Sequence, residues 1–391
     1  MRSYSRHVRW AVPAAGVAAV AAVTAASLIS VASAAPALPR VTPGQLLAEV
    51  AGSATPPPPL TGTVVETASL GLPDLPGIGN QNSMTSLLTG SHTVKVWYGG
   101  PEQVRLAVPV QLGETDLIRN GNTAYLWQSS ANTVTRYQLP AHAGRAGQPA
   151  PTPSPTGTPL TPQQAAQRAL AVAGRSTAVS VDSNVSVAGQ DAYQLVLAPR
   201  DSRSLIGRVS IALDGQHPQV PLRVQVFARG ASTPAFQVGY TSISFVTPSA
   251  ANFAFTPPSG ATVHTATPQA PGGMASGAGS PSALGAQVIG KDWLSVAVLP
   301  ASAVPGLAGG GNAASAAGQA ARSISGGGGS GPSSAAVLAA LLKAATPVHG
   351  AWGSGKLVRT SLVSVLITDS GHVLAGAVTP AVLYAAAGQV K

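Results

Sequence analysis

A period of two runs through the first two thirds of this chain, and it restricts what the chain can fold into. Val64, Ala68, Leu70 and Leu72 read as one side of an extended segment, followed by Val94, Val96 and Tyr98 and then by Val104, Leu106, Val108 and Val110. Glu66, Lys95 and Arg105 are assigned to the opposite side. These are half-buried strands, with one face apolar and the other wet. The stretch LIRNGNTAYLWQSSANTVTRY, Leu117 to Tyr137, adds three neighbouring strands: Asn120-Gly121 offers the positive φ angles of a two-residue hairpin turn, and SSAN makes the next reversal. A second series is expected at 178–187, 191–198, 207–214, 221–228, 236–246 and 253–256, turning at Gly189-Gln190 and Asp214-Gly215. Turns this short imply a mostly antiparallel sheet.

Two helices interrupt the strands. VTPGQLLAEVAGS, Val41 to Ser53, has Thr42 as cap, Pro43 in its first turn and Leu46, Leu47 and Val50 as an apolar stripe. TPQQAAQRALAVAG, Thr161 to Gly174, repeats the plan, with Ala166, Leu170 and Ala173 on its buried side. Two helices are too few to cover both faces of a large sheet, so an α+β architecture with the helices on one concave face is expected. Their small residues, Ala48, Ala165, Ala166, Ala169 and Ala173, predict unfilled space between the helices and the strand face carrying Leu106 and Val108. A pocket of roughly 300 to 1,000 Å³ is expected there.

Composition sets the compartment. Arg2, Arg6 and Arg9 precede an apolar run from Trp10 to Val31, and Ala32-Ser33-Ala34 offers a small-x-small cleavage site. Residues 1–34 therefore read as a signal peptide or an N-terminal anchor, and the rest as extracytoplasmic: secreted, or held at the outer face of the cytoplasmic membrane. With no Cys there is no disulfide, thiolate metal site or lipid-modified cysteine. Arg outnumbers Lys 17 to 5, a bias that resembles high-GC actinobacterial proteins. The basic residues are scattered without interleaved aromatics, which argues against nucleic acid. The main domain is expected at 36–265, with a Pro-rich insert at 141–160. A Gly/Ser/Ala-rich segment at 266–332 carries a short strand at 291–300, and 333–391 reads as a C-terminal helix and β-hairpin. Whether those last strands complete the first sheet is left open.

Chemistry is scarce. Gly350-Ala-Trp-Gly-Ser-Gly355-Lys356 fits most of a phosphate loop, but Leu357 stands where a hydroxyl must hold Mg²⁺ and the next residues alternate as a strand, so a tight turn into an edge strand is expected instead. The seven His residues are far apart and none has a second ligand at metal spacing. Glu114 and Asp116 lie at i, i+2 and read as a solvated face rather than a glycosidase pair. No catalytic residue, metal or cofactor is assigned. What is left is apolar surface, which either closes into a dry core or holds a pocket for acyl chains; Val94, Val96, Leu106, Val108, Leu195 and Val224 are the expected lining in the second case.

LIRNGNTAYLWQSSANTVTRYQLP resembles the strand pair of the LolA-like lipoprotein carriers, VAGQDAYQLVLAPR their later strand pair, and VPLRVQVF with FQVGYTSISF the strands that follow. The resemblance implies an unclosed antiparallel β half-barrel, with helices capping a concave apolar face. It further implies a monomeric, non-enzymatic binder or carrier of lipids or lipoprotein acyl chains in the cell envelope. The alternative it offers is an envelope-stress sensor or scaffold that grips a membrane protein through the same fold.

Overall fold

The computed structural model describes residues 38–52, 56–71, 89–110, 113–139, 161–171, 175–266, 285–304, 342–343 and 345–390. All of them belong to one compact unit, Ala37–Lys391. The segments expected at 1–34 and 141–160, and nearly all of the helix expected to begin at Ser333, lie outside the described residues.

Twelve strands form the first sheet: β1 (Leu60–Ser69), β2 (Thr89–Gly100), β3 (Gln103–Val110), β4 (Gly113–Asn120), β5 (Thr123–Gln128), β6 (Thr133–Gln138), β7 (Thr177–Val187), β8 (Gln190–Pro199), β9 (Ile206–Asp214), β10 (Pro221–Ala228), β11 (Phe236–Ser244) and β12 (Thr262–Ala266). Their spatial order is β12-β6-β5-β4-β3-β2-β1-β11-β10-β9-β8-β7. Every pairing is antiparallel except that of β12 with β6. The two outer strands do not meet, so the sheet is an unclosed half-barrel. Helices α1 (Pro43–Gly52) and α2 (Pro162–Ala171) pack on one face of it: Leu46 and Ala166 share a buried cluster with Val64, Leu195, Leu197, Ile211 and Val224. That face is the inner face below.

The two helices start in the same way. The Thr42 N–H donates to Gln45 Oε1 at 2.8 Å while the Gln45 N–H donates to Thr42 Oγ1 at 3.3 Å; Thr161 and Gln164 repeat the exchange at 3.1 and 3.3 Å. Each is a reciprocal capping box, with Pro in the first turn where its missing N–H is not needed.

Several local expectations shift. The first hairpin turns on Gly121-Asn122, because Asn120 pairs with Thr123 and the positive φ of +60° falls on Gly121, the arrangement of a turn with Gly at its first central position. The β7–β8 hairpin turns one residue earlier than expected, on Ala188 and Gly189, both with positive φ. Asp214 does not open a tight turn; its Oδ1 accepts from the N–H groups of Gln216 and His217 and pins a six-residue loop. Residues 253–256 are not a strand. Phe253 is buried, and Phe255 lies with its ring 5.1 Å from that of Tyr125, on the outer face.

The terminal strands do not extend the first sheet. They form a second one, ordered β13-β14-β18-β17-β16-β15, from Gln287–Ile289, Val296–Pro300, His372–Gly376, Ser364–Thr368, Gly353–Arg359 and Thr346–Gly350 respectively. Helix α3 (Pro380–Ala387) covers one face, where Leu366, Leu374, Val378 and Leu383 are buried, and Leu342 packs with Ile367 and Val373 in a separate cluster. The stretch at 291–300 divides into a tight turn at 292–294 and strand β14. The phosphate-loop look-alike is the β15–β16 hairpin, and the edge strand there is β15, since β16 pairs on both sides. Gly355 is needed because a Cβ there would run into the Ile367 carbonyl of β17.

Candidate functional site

The second sheet meets the first at one end of its strands. The Leu205 N–H donates to the Ala377 carbonyl at 2.9 Å, the Thr379 N–H to Arg203 at 2.8 Å, and the Ser361 N–H to Leu70 at 2.9 Å. Leu70, Thr177 and Leu205 all stand at the same end, because the strands they flank alternate in direction. Trp293, only 7% exposed, joins the inner-face cluster, and its Nε1 donates to Thr177 Oγ1 at 2.7 Å. The indole therefore packs on the inner face at that end, beside edge strand β7. At the other end a cleft of about 420 Å³ opens between α1 and the β9–β10 loop, lined by Val41, Gln45, Leu46, Glu49, Tyr193, Gly215, Gln216, Pro218 and Gln219.

All six residues expected to line a cavity lie on the inner face, in two groups. Val96 stands opposite Leu106, and the same register sets Val94 opposite Val108, so these four form a block on β2 and β3. Leu195 and Val224 flank Ile211 on β8, β9 and β10. Val94, Val96, Leu195 and Val224 are buried, whereas Leu106 and Val108 are half-buried. Helix α2 packs on β10 and β11, and α1 on β7, so the Leu195 and Val224 group belongs to the helix-covered half. A second cleft, of about 260 Å³, is formed by parts of β1, β2 and β11 and borders Val96; Leu106 and Val108 border neither cleft. Of the small helix residues, Ala166 is buried, Ala48 is exposed to solvent and so leaves no space beneath its helix, and the side chains of Ala165, Ala169 and Ala173 lie outside the described residues.

Further residues belong to this face that their sequence pattern does not single out. Leu117 and Leu126 continue the Val96–Leu106 row across β4 and β5. Glu66 belongs with Val64 and Ala68, not opposite them, since a period of two puts 64, 66 and 68 together; it is buried, directly across from His92 on β2 and Val238 on β11. Tyr98 faces inward, as its alternation with Val94 and Val96 requires; Tyr240 does too, and burial pushes its phenol up to about 12. Arg119, two residues beyond Leu117, is 2% exposed. Its Nε donates to the Gly121 carbonyl at 3.1 Å, and its Nη2 is buried without a partner.

On the outer face Asp116 is not solvated. It is 2% exposed and accepts from Arg105 Nη2 at 2.5 Å, with Glu114 Oε1 3.7 Å from the same nitrogen and the Arg105 guanidinium over the Trp97 ring at 5.2 Å. Burial raises the Asp116 carboxyl to about 6, Arg105 pulls it down and Glu114 pushes it up. The reason for the burial is local: the segment carrying Phe253 and Phe255 folds over this part of the outer face, with Phe255 against Tyr125 and Trp127. Among the described residues no group of three His, Cys, Asp or Glu is placed to hold a metal, and no helix is long and apolar enough to cross a membrane.

No protein-family model and no curated protein matches this chain. Solved structures similar to it include a chain of the Pseudomonas aeruginosa MucA/MucB complex, 15% identical, covering 88% of this chain and 96% of that one at a TM-score of 0.39. A LolA superfamily protein from Nitrosomonas europaea is 12% identical, covering 55% of this chain and 99% of that one at 0.21. A lipoprotein-sorting protein domain from Vibrio parahaemolyticus is 11% identical, covering 50% and 89% at 0.18. The architecture of this chain rests on its own strand order.

Proposed function

We propose that the protein is a non-enzymatic, extracytoplasmic binder of lipids or lipoprotein acyl chains, which lie on the inner face of the half-barrel. The observation that carries this reading is the block of Val94, Val96, Leu106 and Val108 with its continuation into Leu117 and Leu126. It is an apolar strip on the opposite side of β1 from the helix-covered strands, and it remains half-open at Leu106, Val108 and Leu126. Each CH₂ transferred onto such a surface contributes about 0.8 kcal/mol, so part of one chain suffices for useful affinity without polar chemistry.

The test is native mass spectrometry after gentle extraction, together with displacement of a fluorescent fatty acid by the wild type and by Val108→Trp. The bulky ring is expected to abolish uptake while the melting temperature holds. If Val108→Trp is instead destabilised by about 1 to 3 kcal/mol, the face is a close-packed core. Absence of both co-purifying lipid and saturable displacement in the wild type would also end the proposal. A second reading, a scaffold for a membrane regulator, is favoured by the second sheet: its edge strand β13 leaves Val288 70% exposed, open to strand addition. Photo-crosslinking from position 288 in cells tests it, and capture of no single membrane protein counts against it.

A further inference from the structure

Arg119 is a cation enclosed in the wrong place for a cation. It lies on β4, on the inner face, with Val104 of β3 and Ala124 of β5 directly across from it, and Leu117 one step along its own strand. Ala124 and Leu117 are buried with it. One donor, Nε, is used by the Gly121 carbonyl; Nη2 has no partner, and no ion pair among the described residues includes this side chain. A guanidinium out of water is strongly disfavoured unless an anion and good hydrogen bonds offset its lost hydration. The buried Asp116 does not serve, since it projects to the outer face, where it holds Arg105.

Position along the strands indicates what kind of anion this guanidinium suits. Val108, Leu106 and Val104 follow one another on β3 at two-residue steps, opposite Thr115, Leu117 and Arg119 on β4. At about 3.4 Å per residue, the row of Val108 lies roughly 14 Å from the row of Arg119. The cation thus stands at one end of the apolar strip. It is the end away from the second sheet, since β4 finishes at Asn120 on the side where β1 begins at Leu60 and Tyr98 stands opposite it. Chain-binding surface that ends in an unpaired guanidinium is complementary to a molecule with an apolar tail and an oxyanion head. Arg suits that head because its planar fork meets carboxylate or phosphate oxygens with paired donors.

Resting on the lipid reading above, we propose that Arg119 binds the oxyanion head, carboxylate or phosphate, of a single-chain lipid whose tail runs along Leu117, Leu106 and Val108 toward the second sheet.

The test compares ligands that share one tail. Hexadecanoate, hexadecyl phosphate and hexadecanol compete for a neutral fluorescent acyl probe on the full chain at neutral pH, with inorganic phosphate alone as a fourth arm. The two anionic lipids are expected to bind about 10- to 100-fold tighter than the alcohol, the scale of one charge-assisted hydrogen-bonded pair, and inorganic phosphate to leave the probe in place. Arg119→Met should erase that preference while keeping the alcohol's affinity, and Arg119→Lys should restore part of it. If all three lipids bind saturably and equally, the lipid reading survives and the head-group proposal falls, leaving Arg119 as a strut for the Gly121 turn. If none binds, both fall. Displacement by inorganic phosphate alone, or a preference that persists in a folded Arg119→Met protein, also overturns the proposal. Should that variant fail to fold, the wild-type comparison decides by itself.

Discussion

Replacing Asp116 by Asn should make this protein more stable at neutral pH, although it removes a residue from an ion pair. The carboxyl is sealed on the outer face, and burial outweighs the attraction of Arg105 so that it titrates at about 6 rather than 3.8. A group whose folded pKa lies above its unfolded value binds more protons in the native state between those two values, so stability falls as pH rises through that window. At 1.36 kcal/mol for each pH unit of displacement, the charged carboxylate withholds up to about 3 kcal/mol from the folded state at pH 7 and above. Asn keeps the shape and an acceptor for Arg105 without the charge, and Arg105, about a quarter exposed, can rehydrate. Urea unfolding of both proteins from pH 4 to 8 isolates the effect, because all other titrating groups are shared. The variant's advantage should be greatest above pH 7, shrink through pH 6 and vanish near pH 4. A difference that is flat with pH, or one favouring the wild type at pH 7.5, would show that the Arg105 attraction exceeds the cost of burial.

The junction between the sheets gives a second stability test: Trp293→Ala should cost about 3 to 5 kcal/mol by emptying its place on the inner face, whereas Trp293→Phe keeps most of the volume and should lose about 1 kcal/mol with the bond to Thr177. Chemical denaturation monitored by tryptophan fluorescence and by circular dichroism measures both, and equal small losses would mean that the indole packs against nothing that matters. Gly355→Ala pushes a methyl into the Ile367 carbonyl and should destabilise the protein by roughly 1 to 3 kcal/mol, with hydrogen exchange accelerated in β16 and β17. Protection unchanged in those two strands would contradict the close approach.

The long antiparallel ladder was legible because one face is apolar and one is wet, which writes a period of two into β2, β3 and β8 to β11. Where residues depart from that pattern, a second force overrides it. Glu66 reads as an outside residue by its charge, although its number puts it beside Val64. Residues 253–256 alternate like a strand, but Phe253 and Phe255 alternate to cover a face already made. The second sheet is legible as single strands and a terminal hairpin but not as a separate sheet, because its strands are short and β17 carries buried residues on both sides, so its alternation disappears. Arg119 sits in an Arg-Asn-Gly-Asn run whose polarity reads as a turn, which concealed that its side chain points along the inner face.

Trp293 also bears on how the chain matures. A polypeptide made amino end first has all twelve strands of the first sheet in place before the indole that packs on its inner face exists, 116 residues after the threonine it bonds to. The backbone clasp at Ala377 and Thr379 comes later still. Until then that part of the inner face is uncovered apolar surface, the kind of species that aggregates or recruits a chaperone. The boundary that a Gly-, Ser- and Ala-rich stretch suggests near residue 265 is thus no place to cut: the half before it would remain in the condition of a nascent chain, waiting for a side chain it will never receive.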